Sequence, residues 1–312
     1  MKKFKNPLLK KTTRDFFQEA ENAGEYTPFD RFHGYLYAKF PYLYISVALG
    51  EHPLNKALAP FFLLLSRVFG SKDEKLEPGY AWANSYHGKV VPLEEASRLV
   101  SIQEEIEIRD LEHIIPYTKA RDIVLINPDK IVALDCPCRL ARENPCTPVD
   151  VCLIVGDPFA SFILEHQPNK ARLITSEEAI GILKAEHERG HVHHAFFKDA
   201  MLNRFYAICN CCACCCGAFQ AQRSGTPMLM ASGYTASVDL DLCEGCGTCV
   251  DYCQFSALSV VDGQVWIDRE SCYGCGVCVD QCPQEAMELE LDPAKGIPLQ
   301  IESLMEEARL SA

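Results

Sequence analysis

Near the end of this 312-residue chain, cysteines recur as Cys243-x2-Cys246-x2-Cys249-x3-Cys253, and again 29 residues later as Cys272-x2-Cys275-x2-Cys278-x3-Cys282-Pro283. Eight thiols at two identical spacings leave the backbone between them few conformations. Gly245, Gly247, Gly274 and Gly276 sit inside the runs, where a residue without a Cβ allows the tightest turns. The flanks repeat too: ASVDLDLC precedes the first run and QVWIDRESC the second, with FSALSV and QEAMEL behind them. Each half therefore reads as a short strand, a cysteine loop, a helical turn and another short strand, with pseudo-twofold symmetry between the halves.

This spacing resembles that of the bacterial-type dicluster ferredoxins, over the residues from Tyr234 to Asp292. The resemblance implies two [4Fe-4S] clusters, because in that family the fourth cysteine of each run reaches across to the other cube. Cys243, Cys246, Cys249 and Cys282 would hold one, and Cys272, Cys275, Cys278 and Cys253 the other. It also implies single-electron transfer between enzymes, often by a module fused to a catalytic domain. Amide groups at the glycine turns would point at the sulfurs and offset the negative charge of each cube. One departure is visible, since Cys253 is followed by Gln254 where the family usually has proline. Structural zinc also uses CxxC pairs, but the duplicated four-cysteine run argues against it.

Ten of the eighteen cysteines lie upstream. Cys136, Cys138, Cys146 and Cys152 fall in LDCPCRLARENPCTPVDVC, whose Pro137, Pro145 and Pro148 would hold its loops open. Arg139 and Arg142 could shield an anionic centre there. Cys209, Cys211, Cys212, Cys214, Cys215 and Cys216 crowd into CNCCACCCG. In an extended chain, alternation puts Cys209 and Cys211 on one side and Cys212 on the other, then Cys214 and Cys216 opposite Cys215, so the block either splits between two centres or leaves bystanders. Both groups together are enough for one or two further iron–sulfur clusters. A non-cubane centre, zinc and reactive thiols are the alternatives. The chain is similar to larger iron–sulfur proteins that carry CPCR and CNCC elements ahead of a dicluster ferredoxin end. The spacing of the CCG-type domains of heterodisulfide reductase subunits is not reproduced.

MKKFKNPLLKKTTRDFF has basic residues without an apolar stretch behind them, which argues for the cytoplasm, where such cysteines are metal ligands rather than disulfides. Tyr35 to Phe69 is apolar and aromatic but broken by Lys39, Glu51, Lys56 and Arg67, so no transmembrane span is expected. It reads as a buried or partner-facing helix, or as a peripheral segment on a membrane surface. The net charge of −13 is uneven: Tyr234 to Asp292 holds twelve acids and one base, Arg269. That face excludes nucleic acid and suits a basic redox partner.

The expected fold is an α/β N-terminal and central region with cysteine-rich loops, plus a C-terminal α+β bacterial dicluster ferredoxin-like domain. The boundaries are 1–91 for the apolar N-terminal region, 92–231 for the cysteine-rich α/β domain, 232–297 for the ferredoxin domain and 298–312 for a final helix. Helices are expected at 93–108 and 174–190, with 118–127 helical or mixed. Strands are expected at 131–139, 149–157, 191–197 and 204–210, and a linker at 220–233.

No GxGxxG with a following acid, GxxxxGK[ST] or CxxCH occurs. The leading expectation is a multi-cluster electron-transport protein relaying single electrons between a redox partner and an enzyme or membrane carrier. The second is an iron–sulfur oxidoreductase that reduces a small substrate upstream, with His193 or His194 as the acid and Arg139 as an anion clamp. The third is a sensor or metal-handling protein. His187 and His191 lie nearby and would be ordinary imidazoles or cluster neighbours.

Overall fold

In a computed structural model, residues 9–22, 26–53 and 83–311 are described. Part of the aromatic N-terminal stretch, 54–69, lies outside them, as do the first eight residues.

The centre is a sheet of eight strands: β1 (Tyr86–Val90), β2 (Ile106–Ile108), β3 (Ile123–Leu134), β4 (Cys152–Asp157), β5 (Ala171–Ile174), β6 (Val192–Lys198), β7 (Arg204–Cys211) and β8 (Leu229–Met230). The order is β2-β3-β4-β7-β6-β1-β8, with β5 on β3; every pairing is antiparallel except β1 with β8. Alternation along the strands divides the apolar residues between two cores. On one face Val132, Leu134 and Ile154 pack with Phe16, Tyr37 and Ala38 of the N-terminal helices Lys11–Asn22 and Pro28–Lys39. On the other face Ile131, Ala133, Leu153 and Val155 meet Leu99, Leu183 and Leu304, from helices Leu93–Leu99, Ser176–Glu188 and Ile301–Ser311.

The N-terminal helices therefore build on the central sheet. Asp30 and Thr27 form a reciprocal capping box at the start of the second. A third helix, Pro41–Ala48, follows after Phe40. The described part of the aromatic stretch turns Tyr37, Ala38 and Pro41 inward, while Phe40 and Leu43 remain exposed, as do Phe29 and Phe32 just ahead of it. Among the described residues, no helix is long and apolar enough to cross a membrane.

Several sequence expectations change. The helix expected over 93–108 stops at Leu99, and Ile106–Ile108 is a strand, because Ile106 and Ile108 add to the edge of β3. The segment 118–127 is not helical; β3 begins at Ile123 and runs for twelve residues, satisfying its backbone against β2, β4 and β5. Over 131–139, expected as a strand running into a cysteine loop, the strand ends at Leu134 and the loop contains a short helix, Pro137–Leu140. The strand expected from Val149 begins at Cys152. The 220–233 stretch is not a bare link: Gly217–Arg223 is helical and β8 lies on β1. Helix Ser176–Glu188 is capped by Thr175, whose side chain accepts from the Glu178 N–H.

Beyond the sheet, β9 (Tyr234–Val238) pairs with β12 (Met287–Leu291), and β10 (Leu258–Val261) with β11 (Gln264–Ile267), all antiparallel. Helical turns Thr248–Tyr252 and Val277–Asp280 close the two cysteine loops.

Candidate metal centres

Antiparallel pairing decides where the upstream cysteines meet. It brings the C-terminal end of β3, the start of β4 and the C-terminal end of β7 to one edge of the sheet, with Leu134 opposite Cys152 and Leu153 opposite Ile208. Cys136 follows β3, and its N–H donates to Val149 O at 2.7 Å. Alternation then aims Cys209 and Cys211 at the same face.

The ten upstream thiols separate into two groups. Cys136, Cys138, Cys152, Cys209, Cys211 and Cys216 surround a cavity of about 80 Å³, whose wall Cys212 and Cys215 also reach. Within it Cys211 Sγ lies 3.2 Å from Cys216 Sγ and Cys209 Sγ 4.0 Å from Cys152 Sγ, while Cys136 contacts both Cys138 and Cys152. The second group is Cys146, Cys212, Cys214 and Cys215, whose sulfurs all lie within 4.8 Å of one another. The CNCCACCCG block thus splits between two sites. The expected pairing of Cys214 with Cys216 fails, because residues 213–215 form a turn that keeps Cys214 with Cys215.

Thiol-to-thiol hydrogen bonds lower two thiols of the first group, Cys136 and Cys209, and raise their partners Cys138, Cys152 and Cys211. Bonds from Cys152 and Cys211 hold the Cys209 thiol down to about 6. Cys138 and Cys152, helped by Arg139, hold Cys136 well below the ordinary thiol range. Thiolate is the form that binds metal.

Arg139 is fully buried, and both terminal nitrogens of its guanidinium are committed while Nε has no hydrogen-bond partner among the described residues. It pairs with buried Glu186 at 2.5 Å and donates to Asn210 O at 3.1 Å and to Pro148 O. Burial alone would raise the Glu186 carboxyl, but His191 and Arg139 hold it below its usual value. Arg139 therefore supplies fixed positive charge at the cavity wall rather than a free clamp.

Neither His193 nor His194 lines the cavity. Burial pushes both down to about 3, so at neutral pH neither carries the proton an acid would donate. His193 Nδ1 bonds Asn210 Oδ1 at 2.6 Å, its Nε2 lies 3.2 Å from His187 Nδ1, and His187 Nε2 lies 2.7 Å from Asp280 Oδ2. The cavity wall carries Tyr37, Tyr86, Tyr206 and Asn210 instead. The Tyr37 and Tyr206 hydroxyls are 2.8 Å apart. No cysteine spacing pointed to these tyrosines, since they come from separate elements.

In the C-terminal unit, a cavity of about 20 Å³ is lined by Cys272, Cys275 and Cys278 together with Cys253 from the other run. Burial pushes the Cys275 thiol up to about 12. Cys249 has Cys282, Cys246 and Cys243 as its thiol neighbours. The two loops match in backbone: φ is +63° at Gly245 and +62° at Gly274, and a Cβ there would stand 2.0 Å from Gly263 O and 2.1 Å from Tyr234 O. The Ala257 N–H donates to Cys253 Sγ and the Ala286 N–H to Cys282 Sγ, both at 3.3 Å. Crossed thiol sets, tight glycine turns and amide donors at the sulfurs fit a pair of [4Fe-4S] cubes. Residues 242–287 match the family model of the 4Fe-4S dicluster domain.

The C-terminal unit is a ferredoxin-type domain. With it and the cysteine groups upstream, the chain is an iron–sulfur protein. No curated protein matches the chain. The ferredoxin-type domain sits against the central unit through its Cys253 loop. Gln254 Oε1 accepts from Ala213 N–H at 2.8 Å, and Phe255 stacks on Tyr273 at 4.3 Å while lying 4.9 Å from Phe219.

Proposed function

We propose that this protein carries single electrons between a soluble redox partner and an iron–sulfur centre in the six-thiol cavity. Cys243, Cys246, Cys249 and Cys282 would hold the cube at the outer end, and Cys272, Cys275, Cys278 and Cys253 the inner one. Each cube would accept and release one electron at a time. Cys136, Cys138, Cys152, Cys209, Cys211 and Cys216 would hold the third centre.

The observation that carries this reading is the Gln254–Ala213 hydrogen bond, which ties the residue after Cys253 to the one between Cys212 and Cys214. The loop of the inner set thus touches the upstream cysteine block at the turn that carries Cys212 and Cys215, two thiols that reach the cavity wall. The outer end suits docking: Cys246 is exposed, and so are Asp239, Asp241 and Glu244 beside Leu240 and Leu242. Acids around an apolar patch steer a basic partner and then exclude water on contact. The cavity is larger than the one at Cys272 to Cys278, which favours a centre of at least a cube's size.

The experiment is a count of iron and labile sulfide in anaerobically purified protein, with EPR during stepwise reduction, for the wild type and Cys152→Ser/Cys209→Ser. The wild type should show a third reducible centre beyond the two cubes, and the double variant should lose it alone. Eight irons per chain in both proteins would end the relay reading.

A further inference from the structure

We propose that Cys146, Cys212, Cys214 and Cys215 bind one tetrahedral metal ion, zinc or iron, and not a cluster. A tetrahedral thiolate site with metal–sulfur bonds of about 2.3 Å holds its sulfurs about 3.8 Å apart. Here Cys146 Sγ is 3.2 Å from Cys214 Sγ and 3.8 Å from Cys212 Sγ, and Cys214 Sγ is 3.7 Å from Cys215 Sγ. A cube takes one thiolate on each of four irons, so its ligand sulfurs stand apart by an iron–iron edge and two outward bonds. The ferredoxin-type cysteines behave that way, for among the described residues no three of them form a group as compact as this one.

The local chain is built as a metal-binding turn. Cys212-x2-Cys215 is a CxxC pair, and the Cys215 N–H bonds back to Cys212 Sγ. Such a turn presents two sulfurs to one ion and supports one of them with an amide. Cys214 adds a third sulfur from the same turn, and Cys146 arrives from the loop after helix Pro137–Leu140.

Charge supports the assignment. Four thiolates around a divalent ion leave net negative charge, and two guanidinium groups flank it. Arg142 donates through Nε and Nη2 to Cys215 O, both at 3.2 Å, and is itself held by Gln220 and Glu51. Arg139 carries its charge close to Cys212. The ion would clamp the 141–149 loop to the CNCC turn and so fix Ala213 for its bond to Gln254.

This inference does not depend on electron relay, and its test uses a different variant, so that the two can fail separately. Metal and labile sulfide are measured in holoprotein of the wild type and of Cys214→Ser, the most exposed of the four positions. The expected result is the loss of one metal atom per chain with sulfide unchanged. Loss of about four irons with four sulfides would make these residues cluster ligands and overturn the proposal. Loss of no metal would also overturn it, most directly with a two-dalton mass gain on reduction that marks a disulfide. If Cys214→Ser yields no holoprotein, anomalous difference maps of a wild-type crystal decide. One zinc or iron peak amid the four sulfurs supports the site, and several iron peaks or none sink it.

Discussion

Gln254 Oε1 accepts the N–H of Ala213 at 2.8 Å, so the residue that stands where dicluster ferredoxins usually have proline joins the inner cysteine loop to the upstream block. Proline has no side-chain acceptor and could not make this bond. The departure from the family pattern thus marks an internal contact. Gln254→Ala should leave iron and sulfide unchanged and lower stability by about 1 kcal/mol, the usual worth of one such bond. Freeze-quenched EPR should show slower reduction of the upstream centre than in wild type; unchanged kinetics would mean that the contact is structural only.

Breaking the buried Arg139–Glu186 pair should cost far more than a surface pair. Arg139→Met removes the buried cation from Glu186 and leaves it only His191 and the half-exposed Arg189, with an expected loss of about 3 kcal/mol. Arg139→Met/Glu186→Leu should recover much of it. Anaerobic denaturation of the wild type, both single variants and the double variant measures the coupling, and additive losses would contradict it.

Gly190 ends helix Ser176–Glu188 at φ +81°, and a Cβ there would stand 2.7 Å from Tyr252 Cδ1 of the ferredoxin-type domain. Gly190→Ala should destabilise by roughly 1–2 kcal/mol through backbone strain and this clash. Tyr252→Ala in the same chain should relieve the steric part alone. Thermal melts of the three variants separate the two causes.

His87, His193 and His194 are each held down to about 3, chiefly by burial, whereas an unfolded imidazole titrates near 6.5. Between those values the unfolded chain binds protons that the folded chain refuses. The contribution of these histidines should therefore be level above pH 6.5 and be lost on acidification, by about 1.4 kcal/mol per pH unit for each histidine. His194 lies between Phe196 and Phe219, so His194→Phe should keep stability at pH 7.5 and make the acid slope shallower by one proton. Melting temperature against pH tests this, and an unchanged slope would refute it.

The ferredoxin-type halves were legible because the constraints on each cysteine loop are local and the whole unit is an internal repeat. Cysteine spacing, glycine turns and flanking strands repeat within a short span, and the strand pairs β9–β12 and β10–β11 follow that repeat. Helix Ser176–Glu188 was legible for the same reason, from a cap and first-turn acids. The 93–108 helix was misread because Ile106 and Ile108 fit a helical stripe as well as a strand, and only pairing with β3 chooses between them. His193 and His194 drew attention by type and position. Their burial and their absence from the cavity wall follow from packing that no short motif records.

What the amino-acid order alone determined is the chemistry of the C-terminal domain, since ligand spacing within a few residues decides which turns can form. What only the tertiary structure decided is the division of the upstream thiols into six and four. Their neighbours come from three strand ends and two loops far apart in the chain. Antiparallel pairing of β3, β4 and β7 draws those ends to one edge, and the turn at 213–215 sends adjacent cysteines to different sites.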